Sequence, residues 1–282
     1  MFNRLCLAFA FSPRAEALVC EAVRLAKIFD GHLAVLHVGE CSVEEKDQIA
    51  ALVSKHGLSQ NQFNIICESG SPSKVILSIC KREKIDLLIA GALQKENIIK
   101  YYLGTIGRTI LRKADCSVLM LTHPNENGIE LNNIVTLAED SPYVEQAIAV
   151  SSKLAHSVNA KWLHIVRELK MLGLTLSAMD QSTENEYDQE KHHLIREEID
   201  YVEEILKKLP QNDVKVNIKV ISGKSGFELA RFAEKKNADL LVVGAPERRF
   251  HFFDRLFTHD LEYIFANMPC NLLIVNKKQH AG

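Results

Sequence analysis

Asp86-Leu87-Leu88-Ile89-Ala90-Gly91 is a short unbroken apolar run set between an aspartate and a glycine. It occurs twice, for Asp239-Leu240-Leu241-Val242-Val243-Gly244 repeats it far along the chain. A continuous apolar run of this length fits a strand covered on both faces, as in a parallel sheet. Other segments recur outward from the two copies in the same order. Gly70 and Gly223 each stand 21 residues before Gly91 and Gly244. Leu5-Cys6-Leu7-Ala8-Phe9-Ala10-Phe11-Ser12-Pro13 is matched in outline by Ile134-Val135-Thr136-Leu137-Ala138-Glu139-Asp140-Ser141-Pro142, and Leu36-His37-Val38 by Leu163-His164-Ile165. Cys116-Ser117-Val118-Leu119-Met120 is matched by Cys270-Asn271-Leu272-Leu273-Ile274. An ordered set of repeats of this kind marks a duplicated unit.

The offset between copies grows along the chain, so the second half carries 24 extra residues, expected around Met171 to Gln189. Pro124-Asn125-Glu126-Asn127-Gly128 reads as a joint. The expected division is a first domain over 1–123, a linker over 124–130 and a second domain over 131–277. Each half alternates strand and helix, with five strands and four helices. The predicted fold class is α/β, two doubly wound five-stranded parallel-sheet (Rossmann-like) domains in tandem. Such a sheet puts its ligand crevice at the carboxyl ends of strands 1 and 4. Ser12 is expected to cap the first helix with Pro13 at its first position. Leu18, Ala22, Leu25, Ala26 and Phe29 then share one helical face.

Composition excludes several classes. The net charge of −2 over 282 residues leaves no basic footprint for DNA or RNA. No stretch approaches the ~20 apolar residues of a membrane span. The apolar start, Leu5 to Phe11, reads as a buried first strand in place of a signal peptide. Seven cysteines, an odd number without a CxxC pair, suit neither a disulfide framework nor a zinc ribbon. They read as small buried hydrophobes in a reducing cytoplasm. His192-His193 lie in an acidic helix and read as part of a solvated charged face. His37 and His164 read as satisfied structural histidines at the ends of corresponding strands. Cys116 and Cys270 read as packing residues. No GxxxxGK[ST] loop and no GxSxG elbow occurs.

The segment after Gly91 carries a resemblance. In universal stress proteins strand 4 ends in a glycine. A second glycine follows three positions on, and a third, ten further, precedes Ser or Thr. Here Gly91 fills the first position, Gln94 the second, and Gly104-Thr105 the last pair. The chain resembles that family over nearly its whole length, twice. The resemblance implies an adenine nucleotide, ATP or AMP with Mg, in the first half. Its phosphates would meet the start of the fourth helix at Gly104, Thr105, Ile106 and Gly107, where free N–H groups and the helix dipole favour anions. Its base would lie near Ala10 and Val38. Ala10 stands where many relatives have Asp, and Gln94 where they have glycine. Gly91 and Gly104 also fit a reading as tight turns and close packing alone.

The second half departs further. Glu139 stands at the strand-1 Asp position, Glu247 at the second glycine, and Thr258-His259 in place of Gly104-Thr105. The loop from Arg248 to Phe257 mixes basic and aromatic residues as single-stranded nucleic acid binders do. With no basic surface elsewhere it is expected to pack over the emptied crevice, and docking of a protein partner stays open. The resemblance implies a stress-response protein that binds and does not catalyse. Its halves would form an internal pseudo-dimer with fifth strands adjacent, and a homodimer of whole chains stays open. The protein partner is not readable. Two alternatives stand beside this reading, a nucleotide-independent scaffold and a slow ATPase.

Overall fold

The structure, a computed structural model, describes residues 2–94, 101–139, 143–168, 184–210, 213–221, 225–245, 259–266 and 268–276. The first half runs β1 (Arg4–Phe9), α1 (Ala15–Phe29), β2 (His32–His37), α2 (Val43–Lys55), β3 (Phe63–Cys67), α3 (Pro72–Arg82) and β4 (Leu87–Gly91). A small hairpin of β5 (Leu93–Gln94) and β6 (Tyr101–Tyr102) follows, then α4 (Thr105–Lys113) and β7 (Ser117–Leu121). The second half runs β8 (Asn133–Leu137), α5 (Val144–Ser157), β9 (Trp162–Glu168), α6 (Glu184–Lys207) and β10 (Lys215–Ile221). It closes with α7 (Ser225–Lys235), β11 (Leu240–Gly244), α8 (His259–Ala266) and β12 (Asn271–Val275).

The large sheet has ten strands in the order β10-β9-β8-β11-β12-β7-β4-β1-β2-β3. Every neighbour pair is parallel except β12 and β7, which meet antiparallel with Leu273 opposite Leu119. The sheet is therefore two doubly wound halves joined at their fifth strands, as expected. The quoted runs are its central strands, and Leu87 to Ala90 and Leu240 to Val243 are buried. Helices α1, α2, α5 and α6 cover one face, and α3, α4, α7 and α8 cover the other.

The seam forms because β7 and β12 are buried along their whole length, and each would expose an apolar edge alone. Matching polar clamps close its two ends. The Asn271 carboxamide oxygen accepts from Thr122 N (2.8 Å) and its Nδ2 donates to Asp239 O (2.8 Å). At the other end Asn276 N donates to Ser117 Oγ (3.0 Å) and Asn276 Nδ2 to Cys116 O (2.7 Å). A third link joins α4 to α8, where Arg108 and Arg112 both donate to the Glu262 carboxylate. The segment 124–130 is docked on α1: Cys20 Sγ donates to Glu126 O (3.1 Å), and the buried Glu21 carboxylate accepts from Ile129 N.

Three expectations are corrected. The first concerns the start of α1. Ser12 does not cap it; Ser12 O accepts from Ala15 N (3.0 Å) in a turn, and Arg14 is the cap residue. The turn carries the Arg14 side chain across to the neighbouring strands. The second concerns register. Leu33 pairs with Leu5 and Leu163 with Ile134, its counterpart, so Leu163 corresponds to Leu33 and His164 to Ala34. The residue that matches His37 is Arg167. An apolar-His-apolar triplet is too short to fix a strand register, because any such triplet suits a buried strand. The third concerns the cysteines. Cys41 and Cys67 form a disulfide with Cα atoms 5.9 Å apart. Parallel pairing of β2 with β3 brings distant stretches of chain to one edge, which local spacing does not report. The other five cysteines are free, and Cys6, Cys80, Cys116 and Cys270 are buried.

Part of the extra length in the second half appears as α6, 24 residues against 13 in α2. Residues 169–183, within which most of the expected insertion falls, lie outside the described residues, as do Gly223 and the Arg248–Phe257 loop. His193 contacts Glu197 (3.3 Å) on the exposed side of α6.

Candidate functional site

The first-half crevice lies at the carboxyl ends of β1, β2 and β4. Its floor at Gly91 is set by packing: a Cβ there would stand 3.3 Å from the Leu18 side chain of α1. Across the crevice, Gly104 is the cap residue of α4 and no side chain bonds the cap. Arg108 N donates to Gly104 O (3.0 Å), the first bond of the helix. The N–H groups of Thr105, Ile106 and Gly107 precede that bond and have no helix carbonyl to meet. Thr105 and Ile106 are exposed, and Gly107 is half-buried. Ala10 is exposed just past β1, and Val38 is half-buried just past β2. The structure thus puts Ala10, Val38 and Gly91 at the carboxyl ends of neighbouring strands, and Leu93, two residues past Gly91, lies against Gly104. Gln94 lies in β5, and its side chain is outside the described set.

Several neighbours were not singled out by sequence reasoning. Leu93 is one: a Cβ on Gly104 would stand 2.6 Å from its tip, so this half-exposed leucine lies against the start of α4. Arg14 is another. Its guanidinium donates to Ala92 O (2.9 Å) and Thr122 O (2.6 Å), and it lies 5.3 Å from the Tyr101 ring centre. One side chain therefore ties the entry of α1 to the ends of β4 and β7. The sequence signal was a cation at a helix start, opposed to the dipole and so in need of other partners. Tyr101 also stacks edge-on with His123 (4.2 Å). Burial first, and then the Arg14 charge, push the His123 pKa below the usual imidazole value.

His37 and His164 differ. His164 is buried mid-strand, its Nδ1 is 3.0 Å from Asn217 Nδ2, and burial lowers its pKa. It is a satisfied structural histidine. His37 ends β2 beside Phe11 (5.2 Å between ring centres), and its buried Nδ1 has no hydrogen-bond partner.

In the second half Arg167 takes the His37 position. It is 6% exposed, donates to Ala138 O at the end of β8, pairs with Glu198 of α6 and stacks on Tyr201 (4.6 Å). The place next to the strand-1 end is thus filled from α6. Helix α8 begins at His259, the residue counted as the counterpart of Thr105. Glu247 and Thr258 lie outside the described residues.

A family model described as the universal stress protein family matches residues 1–122 and 130–276. The chain belongs to the universal stress protein family. The two matched segments coincide with the two halves of the sheet, so this is a tandem member. The universal stress protein YxiE of Bacillus subtilis (strain 168) is 25% identical over 147 residues, 43% of this chain and 99% of its own. A solved universal stress protein from Archaeoglobus fulgidus DSM 4304 covers 98% of this chain and 99% of its own, with TM-score 0.68 and 14% identity. A putative universal stress protein from Pseudomonas aeruginosa UCBPP-PA14 covers 98% of this chain and 93% of its own, with TM-score 0.72 and 17% identity. At these identities the two structures speak for the fold of the tandem universal stress protein, not for its ligand. No helix among the described residues is long and apolar enough to cross a membrane.

Proposed function

We propose that the protein acts by binding an adenine nucleotide, ATP or AMP with Mg, in its first half, while the second half serves as a fixed partner domain. The observation that carries this reading is the start of α4. Gly104 opens a nine-residue helix without a capping side chain, and the next two residues are exposed. Three unpaired N–H groups at a helix start form an anion site. The Thr105 hydroxyl adds a donor, and Val38 borders the base. Ala10 offers no carboxylate, so the base end of the nucleotide lacks a polar contact that an Asp would supply. Mg enters with the triphosphate. In the second half Thr258-His259 stand in place of Gly104-Thr105, so the glycine that opens α4 has no counterpart, which argues for one site per chain.

A second reading has one observation in its favour. The tip of Leu93 lies against Gly104, as in a scaffold that uses no nucleotide. Thermal unfolding with excess ATP–Mg separates the two. A ligand at 100 times its dissociation constant adds ~2.7 kcal/mol. For a chain of this size that raises the melting temperature by roughly 5–10 °C. An unchanged melting temperature would favour the scaffold.

A further inference from the structure

We propose that Cys41 and Cys67 form a reversible redox clasp that pins the crevice rim of the first half. Cys67 is the last residue of β3, and Cys41 lies between the end of β2 and the start of α2. The ladder runs on past both strands, with Glu68 N donating to His37 O (3.2 Å) and Gly39 N to Glu68 O (3.1 Å). The disulfide closes this turn, residues 38–41, onto β3. Both cysteines are half-buried and within reach of a small thiol, unlike the buried Cys6, Cys80, Cys116 and Cys270.

Reduction frees the rim and leaves the fold standing. Helix α2 has its own start: Ser42 Oγ accepts from Glu45 N (3.2 Å) and the Glu45 carboxylate accepts from Ser42 N (2.8 Å). The two remaining ladder bonds hold the turn only loosely. Beneath it lies the His37 ring, whose Nε2 is 2.8 Å from where a Gly39 Cβ would be and whose Nδ1 has no partner. Opening the turn uncovers that ring at the mouth of the crevice.

The chemistry is thiol–disulfide exchange with a low-molecular-weight disulfide such as oxidised glutathione. One cysteine thiolate attacks the disulfide and releases a reduced glutathione. The second thiolate attacks the mixed disulfide and releases another. Two protons leave the cysteines, and two electrons pass to glutathione.

The test equilibrates the full chain in buffers of graded reduced to oxidised glutathione. Maleimide mass counting then reads the thiols, and hydrogen exchange reads residues 38–41. The pair is expected to interconvert across the series. In the reduced form the amides of 38–41 exchange about tenfold faster or more, while those of β1 and α2 keep their rates. Cys41→Ser shows the fast rates in every buffer. A pair that does not interconvert while the fold persists, or equal rates in both forms, would overturn the clasp. An effect on the nucleotide rests on the function proposed above: ATP–Mg affinity is expected to differ at least threefold between the two forms, roughly 0.7 kcal/mol. If ATP binds neither form, that function falls, while the exchange rates still decide the clasp.

Discussion

Asn271→Leu is expected to destabilise the protein by ~2–4 kcal/mol, because it removes the polar clamp at one end of the seam while leaving its partners buried. Asn271 is 4% exposed, and it satisfies Thr122 N, Thr122 Oγ1 and Asp239 O at once. Leucine keeps the same branching and number of side-chain heavy atoms but is bulkier, so any crowding adds to the loss of the hydrogen bonds. The Thr122 N–H loses its acceptor in a place water does not reach. The opposite end is the internal control. Ser117→Ala removes the acceptor of Asn276 N, yet Asn276 Nδ2 still donates to Cys116 O, so the cost is ~1 kcal/mol. Urea unfolding of the two variants beside the parent measures both. Equal midpoints for Asn271→Leu and parent would mean that the clamps do not hold the halves together.

Gly104→Arg is expected to weaken ATP–Mg binding by at least ~100-fold, about 2.7 kcal/mol, with little change in stability. Gly104 has φ −71°, a backbone open to any residue, so arginine brings no backbone strain. Its Cβ meets only the tip of Leu93, a half-exposed side chain with room to turn. The added side chain then covers the first turn of α4 and occupies the place of the phosphates. Losing even two charge-assisted bonds from N–H groups accounts for the expected factor. Equilibrium titration with a fluorescent ATP analogue reads the change. An affinity equal to that of the parent would place any nucleotide elsewhere.

The architecture was legible because repetition and strand burial are written in composition. Asp86–Gly91 and Asp239–Gly244 name the central strands of both halves, and Cys116 and Cys270 stand just before the two strands that form the seam. Counting back from those cysteines also places Thr105 and His259, each the first residue of its helix. What stayed hidden depends on contacts between distant segments. Register across β8 and β9 decides that Arg167, and not His164, matches His37. The disulfide depends on β2 lying beside β3. Arg14 depends on a turn that lets a side chain at a helix start reach two carbonyls about 80 and 110 residues away. The departure from the family pattern is at Gln94, whereas the described contact with Gly104 comes from Leu93, the residue before it. Glu262 illustrates the same limit. It takes the place of Arg108 in the second copy, so a position that would set like charges together in two identical halves holds an ion pair here.

Calorimetric titration of ATP–Mg into the intact chain is the most direct test of the proposal that, of the two copies, the amino-terminal one alone takes the nucleotide. One site per chain, abolished by Gly104→Arg, is the predicted result. Two equivalent sites, or a single site that survives Gly104→Arg, would contradict it.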